Sequence, residues 1–198
     1  MAETRVRSPI GVALVAMVLA GLVTALVLSF VLEDDGRPEA SVLTLAPPPG
    51  NGTVPQQSDL RGEPAPDFAF EPLHGGADVD FAAFRAGRPT VLNFFYKDCP
   101  PCVVEMPDLQ DAYEAYGDRV NFLGLSYEES VEDGLDLAER TGVTYELGRD
   151  PAGEIITAYA GIGLPTTVFI DADGTIVTTH TGRIHPDELQ DELDGLLA

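Results

Sequence analysis

The sequence predicts an α/β fold: a central mixed β-sheet flanked by helices, with an N-terminal β-hairpin, preceded by a single transmembrane helix. Three observations lead there. Ile10 to Leu32 is almost wholly apolar. From Pro64 onward, strand-like and helix-like patterns alternate, as in βα units built around parallel strands. Near the end, Asp171-Ala172-Asp173-Gly174 is a hairpin signal that adds antiparallel pairing to that sheet.

The apolar stretch holds only Thr24 and Ser29 as polar side chains. As a helix it spans roughly 35 Å, enough to cross a bilayer core. Arg5 and Arg7 precede it and Glu33-Asp34-Asp35 follow it. Residues 1–9 are therefore expected in the cytoplasm, 10–32 in the cell membrane as a single-pass anchor, and the rest outside. The rival reading is a cleaved signal peptide, whose apolar region is normally about 7–15 residues and ends at an A-x-A-like site. This stretch is longer and no such site follows it. Residues 33–61 lack periodicity and include Ala46-Pro47-Pro48-Pro49-Gly50-Asn51-Gly52, so they read as a flexible tether with a reach of roughly 30 Å. Residues 62–198 form the globular domain.

The elements of that domain follow in order. Phe68, Phe70, Val79 and Phe81 alternate around Leu73-His74-Gly75-Gly76-Ala77, the pattern of a short hairpin. A helical turn at 81–86 leads through Gly87-Arg88-Pro89 into a central strand, 90–96. Val103, Met106, Leu109, Ala112, Tyr113 and Tyr116 recur at helical spacing, with Pro107 expected to kink that helix without ending it. A second strand covers 120–126. An amphipathic helix covers 131–141 and is closed by Gly142. A short extended piece at 145–147 and a helix over 152–159 come next. The β-branched run 166–170, the hairpin turn, a strand over 175–181 and a helix over 186–197 complete the chain.

Charge and cysteine content narrow the function. The chain has 33 acidic residues against 11 basic ones, a formal charge of −22, and Lys97 is its only lysine. Such a surface repels nucleic acid and anionic lipid. The only two cysteines stand in Cys99-Pro100-Pro101-Cys102, directly after the aromatic run 91–96. That spacing closes too short a loop to act as a staple. The prolines stop the strand, and Pro101 suits the first turn of a helix, where its missing N–H costs nothing. Cys99 then faces the positive end of a helix dipole, which stabilises a thiolate. This is the chemistry of a dithiol/disulfide redox site. Glu105 follows Cys102 by three residues, which puts it on the same side of the helix.

Cys99-Pro-Pro-Cys102 after an aromatic strand, Gly163-Leu164-Pro165-Thr166-Thr167 and Asp171-Ala172-Asp173-Gly174 together resemble the thioredoxin fold. More closely, the chain resembles the membrane-anchored TlpA/ResA-like thiol-disulfide oxidoreductases, whose usual lead-in motif is similar to Gly62-Glu63-Pro64-Ala65-Pro66-Asp67-Phe68. The resemblance covers residues 62–197. It implies a cis peptide bond at Leu164–Pro165 beside the cysteines, with Leu164 offering its backbone to substrate. It also implies that Glu105 assists proton movement.

Two departures stand out. Relatives commonly carry tryptophan where this chain has Phe95 and Asp98. Phe95 can substitute in packing, whereas Asp98 puts a negative charge beside Cys99 that disfavours the thiolate, with Lys97 available to offset it. Thioredoxins proper bury an aspartate where Asn93 stands here.

The implied chemistry is thiol–disulfide exchange. Cys99 is the nucleophile, Cys102 resolves the mixed disulfide, Glu105 moves the proton, and Asp98, Pro100 and Pro101 tune the site. Protein disulfides are the expected substrates, with the haem-attachment cysteines of apocytochrome c first among them. A membrane-embedded thiol donor supplies electrons. No metal and no bound cofactor are expected beyond the Cys99–Cys102 disulfide itself. The competing readings are a disulfide oxidase or isomerase of exported proteins, a peroxidase suggested only by the lead-in motif, and a copper metallochaperone. For the last, His74, His180 and His185 fall in no ligand motif.

Overall fold

The computed structural model describes residues 59–198. The expected cytoplasmic N-terminus, anchor and nearly all of the tether lie outside the described residues. Among the described residues, no helix is long and apolar enough to cross a membrane.

Seven strands form one mixed sheet in the order β2-β1-β5-β4-β3-β6-β7. β1 (Ala69–Pro72) and β2 (Val79–Asp80) are the expected hairpin, paired through Phe70 and Val79. α1 (Phe81–Arg85) follows, with Asp80 accepting a hydrogen bond from the Ala83 N–H as its N-cap. β3 (Thr90–Phe95) is the central strand, parallel to β4 (Asn121–Tyr127) and antiparallel to β6 (Thr166–Ile170). β5 (Glu146–Asp150) runs parallel to β4, and β7 (Ile176–Thr181) closes the other edge beside β6. The lead-in segment pairs with the start of β7: Gly62 N–H donates to Ile176 O, and Ile176 N–H donates to Glu63 O.

α2 (Pro100–Tyr116) continues through Pro107, and α3 (Val131–Thr141) ends on Gly142, whose left-handed φ of 74° suits glycine. α4 is Glu154–Ala158 and α5 is Pro186–Leu196. Two elements differ from expectation. β5 continues past Leu147 to Asp150 because its polar end is satisfied elsewhere: Arg149 pairs with Glu71, and the Asp150 carboxylate accepts from the Ile155 and Ile156 N–H groups. The same carboxylate holds the start of α4, so that helix is shorter than 152–159.

β3 is buried on both faces, and period-2 alternation divides its side chains between two cores. Leu92 and Phe94 join Phe70, Phe81, Leu125, Tyr159 and Val168 on one face. Val91 and Phe95 join Met106, Leu109, Leu137, Leu189 and Leu193 on the face covered by α2, α3 and α5. Asn93 lies between Val91 and Phe95 in sequence, so it points to this second face, under α2.

Candidate functional site

β3 ends at Phe95, and Tyr96–Asp98 turn the chain so that Cys99 becomes the N-cap of α2. Pro100 and Pro101 occupy the first helical positions, where no N–H is needed. Cys99 and Cys102 are joined as a disulfide. The Cys102 N–H donates to the Cys99 Sγ at 3.2 Å, one of the bonds a helix N-terminus offers to negative charge. Cys99 is the more accessible sulfur: it is 8% exposed and Cys102 is 1% exposed. An attacking partner therefore meets Cys99 first.

Glu105 is fully buried, although nothing in its own sequence neighbourhood requires it. Its Oε1 accepts from Asn93 Nδ2 at 2.8 Å and from the Thr167 hydroxyl at 3.2 Å. Its Oε2 accepts from the Ile184 N–H at 2.7 Å. Burial pushes this carboxyl up to about 7. The three hydrogen bonds and the charge of His180 hold it from rising further. Such a group can give or take a proton near neutrality. Asn93 also donates to Thr167 at 2.9 Å, and its Oδ1 has no partner.

The Leu164–Pro165 peptide bond is cis. Leu164 is partly buried against the core cluster that contains both cysteines. The Pro165 carbonyl accepts from the Gly182 N–H at 2.8 Å, which ties this loop to the end of β7. Cys99, Cys102 and Glu105 thus lie on the α2 side of the sheet, and Leu164 packs against the cores of both faces. Among the described residues, the exposed large hydrophobics are Val104 and Ile162, and each lies within two residues of this constellation in sequence.

Asp98 is exposed and does not cap α2, since Cys99 fills that position. Lys97 does not serve chiefly as its counter-ion. The ammonium is bound to Asp133 on α3, and Asp98 acts on it only as a weaker charge. The turn before Cys99 is held from the other side by Glu129. Its carboxylate is buried and accepts from the Lys97 N–H at 2.9 Å and the Ser126 hydroxyl at 2.7 Å.

Sequence reasoning had not singled out Glu129, nor Thr167 and Ile184 as partners of Glu105. Strand alternation could have put Asn93 and Thr167 on the α2 face; a main-chain donor such as Ile184 N–H leaves no trace in side-chain pattern. His74 is an exposed turn residue, His185 stands at the N-cap position of α5 without a side-chain capping bond, and His180 contacts Glu188 and Arg183 O. Among the described residues, no group of three or more His, Cys, Asp or Glu side chains is arranged to hold a metal ion.

Comparison with known proteins agrees with this geometry. The model of the AhpC/TSA family matches residues 61–179. The thiol:disulfide interchange protein DsbE of Xylella fastidiosa is 30% identical over 146 residues, covering 73% of this chain and 73% of the relative. The thiol-disulfide oxidoreductase ResA of Geobacillus thermodenitrificans is 31% identical over 137 residues, covering 68% and 77%. Among solved structures, a thioredoxin-family thiol:disulfide interchange protein from Chlorobium tepidum superposes with a TM-score of 0.62 at 26% identity, covering 71% of this chain and 100% of that one. A secreted disulfide oxidoreductase of Mycobacterium tuberculosis superposes with a TM-score of 0.58 at 29% identity, covering 65% and 95%. With a disulfide at the head of a helix, on the sheet these proteins share, the chain belongs to the AhpC/TSA family and is a thioredoxin-fold thiol-disulfide oxidoreductase of the ResA and DsbE type.

Proposed function

We propose that this chain is a membrane-anchored, extracytoplasmic reductase of protein disulfides. The observation that carries this reading is a Cys99–Cys102 pair at the N-terminus of α2 with a buried carboxyl, shifted to about 7, one turn behind it. In the reduced protein, the Cys99 thiolate attacks one sulfur of a substrate disulfide. A mixed disulfide forms and the first substrate thiolate leaves. Cys102 gives its proton to Glu105 and attacks the Cys99 sulfur, which expels the second substrate thiolate. The substrate gains two electrons, and the protein is left with the Cys99–Cys102 disulfide. A membrane-embedded dithiol carrier returns two electrons and two protons.

Leu164 and Pro165 line the substrate's approach, and Leu164 offers its backbone to an extended segment. Pro100 and Pro101 fix the helix start that favours the thiolate, and Asp98 opposes it. The apolar segment 10–32 supports the anchor, with the domain outside the cytoplasm. The names of the DsbE and ResA relatives support a place in handling exported cysteines, and the haem-attachment cysteines of apocytochrome c are the first substrate to test. The acidic surface supports a protein substrate and not a nucleic acid.

The order of attack is tested by trapping in the full-length chain. Cys102→Ser is expected to accumulate a mixed disulfide through Cys99, whereas Cys99→Ser is not. Trapping by Cys99→Ser alone would refute the assignment of the nucleophile. Whether the site works as a reductase or as an oxidase or isomerase is decided by its potential.

A further inference from the structure

Gly124, Asn93, Thr167 and His180 form one row across four adjacent strands, β4, β3, β6 and β7. Glu105 binds the two central members of that row. His180, at the edge, is part-buried. Its Nε2 lies 3.2 Å from the Arg183 carbonyl oxygen and its Nδ1 lies 3.3 Å from Glu188 Oε1 on α5. The Arg183 carbonyl oxygen can only accept, so this bond requires the proton on Nε2. The peptide group that accepts from Nε2 joins Arg183 to Ile184, and its N–H donates to Glu105 Oε2 at 2.7 Å. A single amide therefore connects the imidazole at the sheet edge to the Glu105 carboxyl in the core. A hydrogen bond received at its oxygen strengthens the one given by its nitrogen.

We propose that His180 is a positioning residue: through the Arg183–Ile184 peptide it stabilises the ionised form of Glu105 and so sets the pH at which Glu105 takes up a proton. This rests on the reading of Glu105 as the group that accepts the Cys102 proton. The other groups facing Glu105 do not change charge in the neutral range. They are the Asn93 amide from β3, the Thr167 hydroxyl from β6 and the Tyr145 phenol, whose ionisation burial pushes far upward. Cys102, on Glu105's own helix, is held in the disulfide. The Arg183 guanidinium is engaged by Asp108 at 2.9 Å. Facing His180 itself, the Glu188 carboxyl lies 3.3 Å from Nδ1.

The test is a carbon-13 NMR titration of the Glu105 carboxyl in the oxidised full-length chain, compared with His180→Gln and His180→Lys. His180→Gln removes the charge, and the Glu105 midpoint is expected to rise by about half a pH unit or more. His180→Lys keeps a cation, and its midpoint is expected to stay near that of the parent. An unmoved midpoint in His180→Gln, with the amide spectrum of α2 and β6 preserved, overturns the proposal. So does an equal rise in both variants. If the midpoint moves in His180→Gln while the pH profile of thiol exchange does not, His180 governs Glu105 as proposed, and it is the proton-transfer role of Glu105 that fails.

Discussion

The buried residue Glu105 bears both on the stability of this domain and on the proton transfer proposed for it. Its carboxyl is raised from 4.5 to about 7, so the fold favours its protonated form. The corresponding stabilisation is complete below pH 4.5 and is lost as the pH rises through about 7, a swing of about 3 kcal/mol. Glu105→Gln cannot ionise, so urea titrations across that window are expected to lose this part of the slope. The same variant is expected to flatten the pH dependence of thiol exchange between about pH 6 and 8. Stopped-flow rates with a disulfide-containing protein measure it directly; an unchanged profile would separate Glu105 from the reaction. Asp98 acts in the opposite sense, from solvent. Its negative charge is expected to disfavour the Cys99 thiolate and hence the reduced form. Asp98→Asn is therefore expected to make the potential less negative by about 10–20 mV, measured against glutathione.

At the scale of elements, the turn between β3 and α2 is braced by the start of α3. Ser130 caps α3 by accepting from the Asp133 N–H, its hydroxyl donates to the Asp133 carboxylate, and that carboxylate binds Lys97. Ser130→Ala is expected to cost about 1 kcal/mol in urea unfolding, the usual value of an N-cap. Helices were the most legible elements. α2 and α3 carry their limits in side chains: prolines and a thiol at one start, Ser130 at the other, and Gly142 at an end. β5 was legible only to Leu147, because Gly148, Arg149 and Asp150 carry no strand signal and are held in the sheet by partners on β1, the segment before α3 and α4. The site divides the same way. Cys99 and Cys102 lie in a short motif, the cis bond was implied only by the family resemblance, and i, i+3 spacing put Glu105 on the cysteine side of α2. Its burial could not be read, because it depends on β3, β6 and the loop after β7 arriving together. Lys97 misled for the same reason: its neighbour in sequence is Asp98, and its partner in space is Asp133.

For the whole molecule, the sheet gathers into one place groups that are 93, 105, 167 and 184 in sequence. It leaves Cys99 as the more accessible sulfur at the head of a helix. In the proposed reaction two opposed influences act on the reduced state, the dipole of α2 and the charge of Asp98, and their balance is expected to set the potential of the pair. This balance is expected to leave a reductant. The most direct test is the midpoint potential of the Cys99–Cys102 pair, from equilibration with glutathione or dithiothreitol at pH 7. The predicted value is near that of thioredoxin, about −270 mV, and a value near that of the strong oxidant DsbA, about −120 mV, would contradict the account.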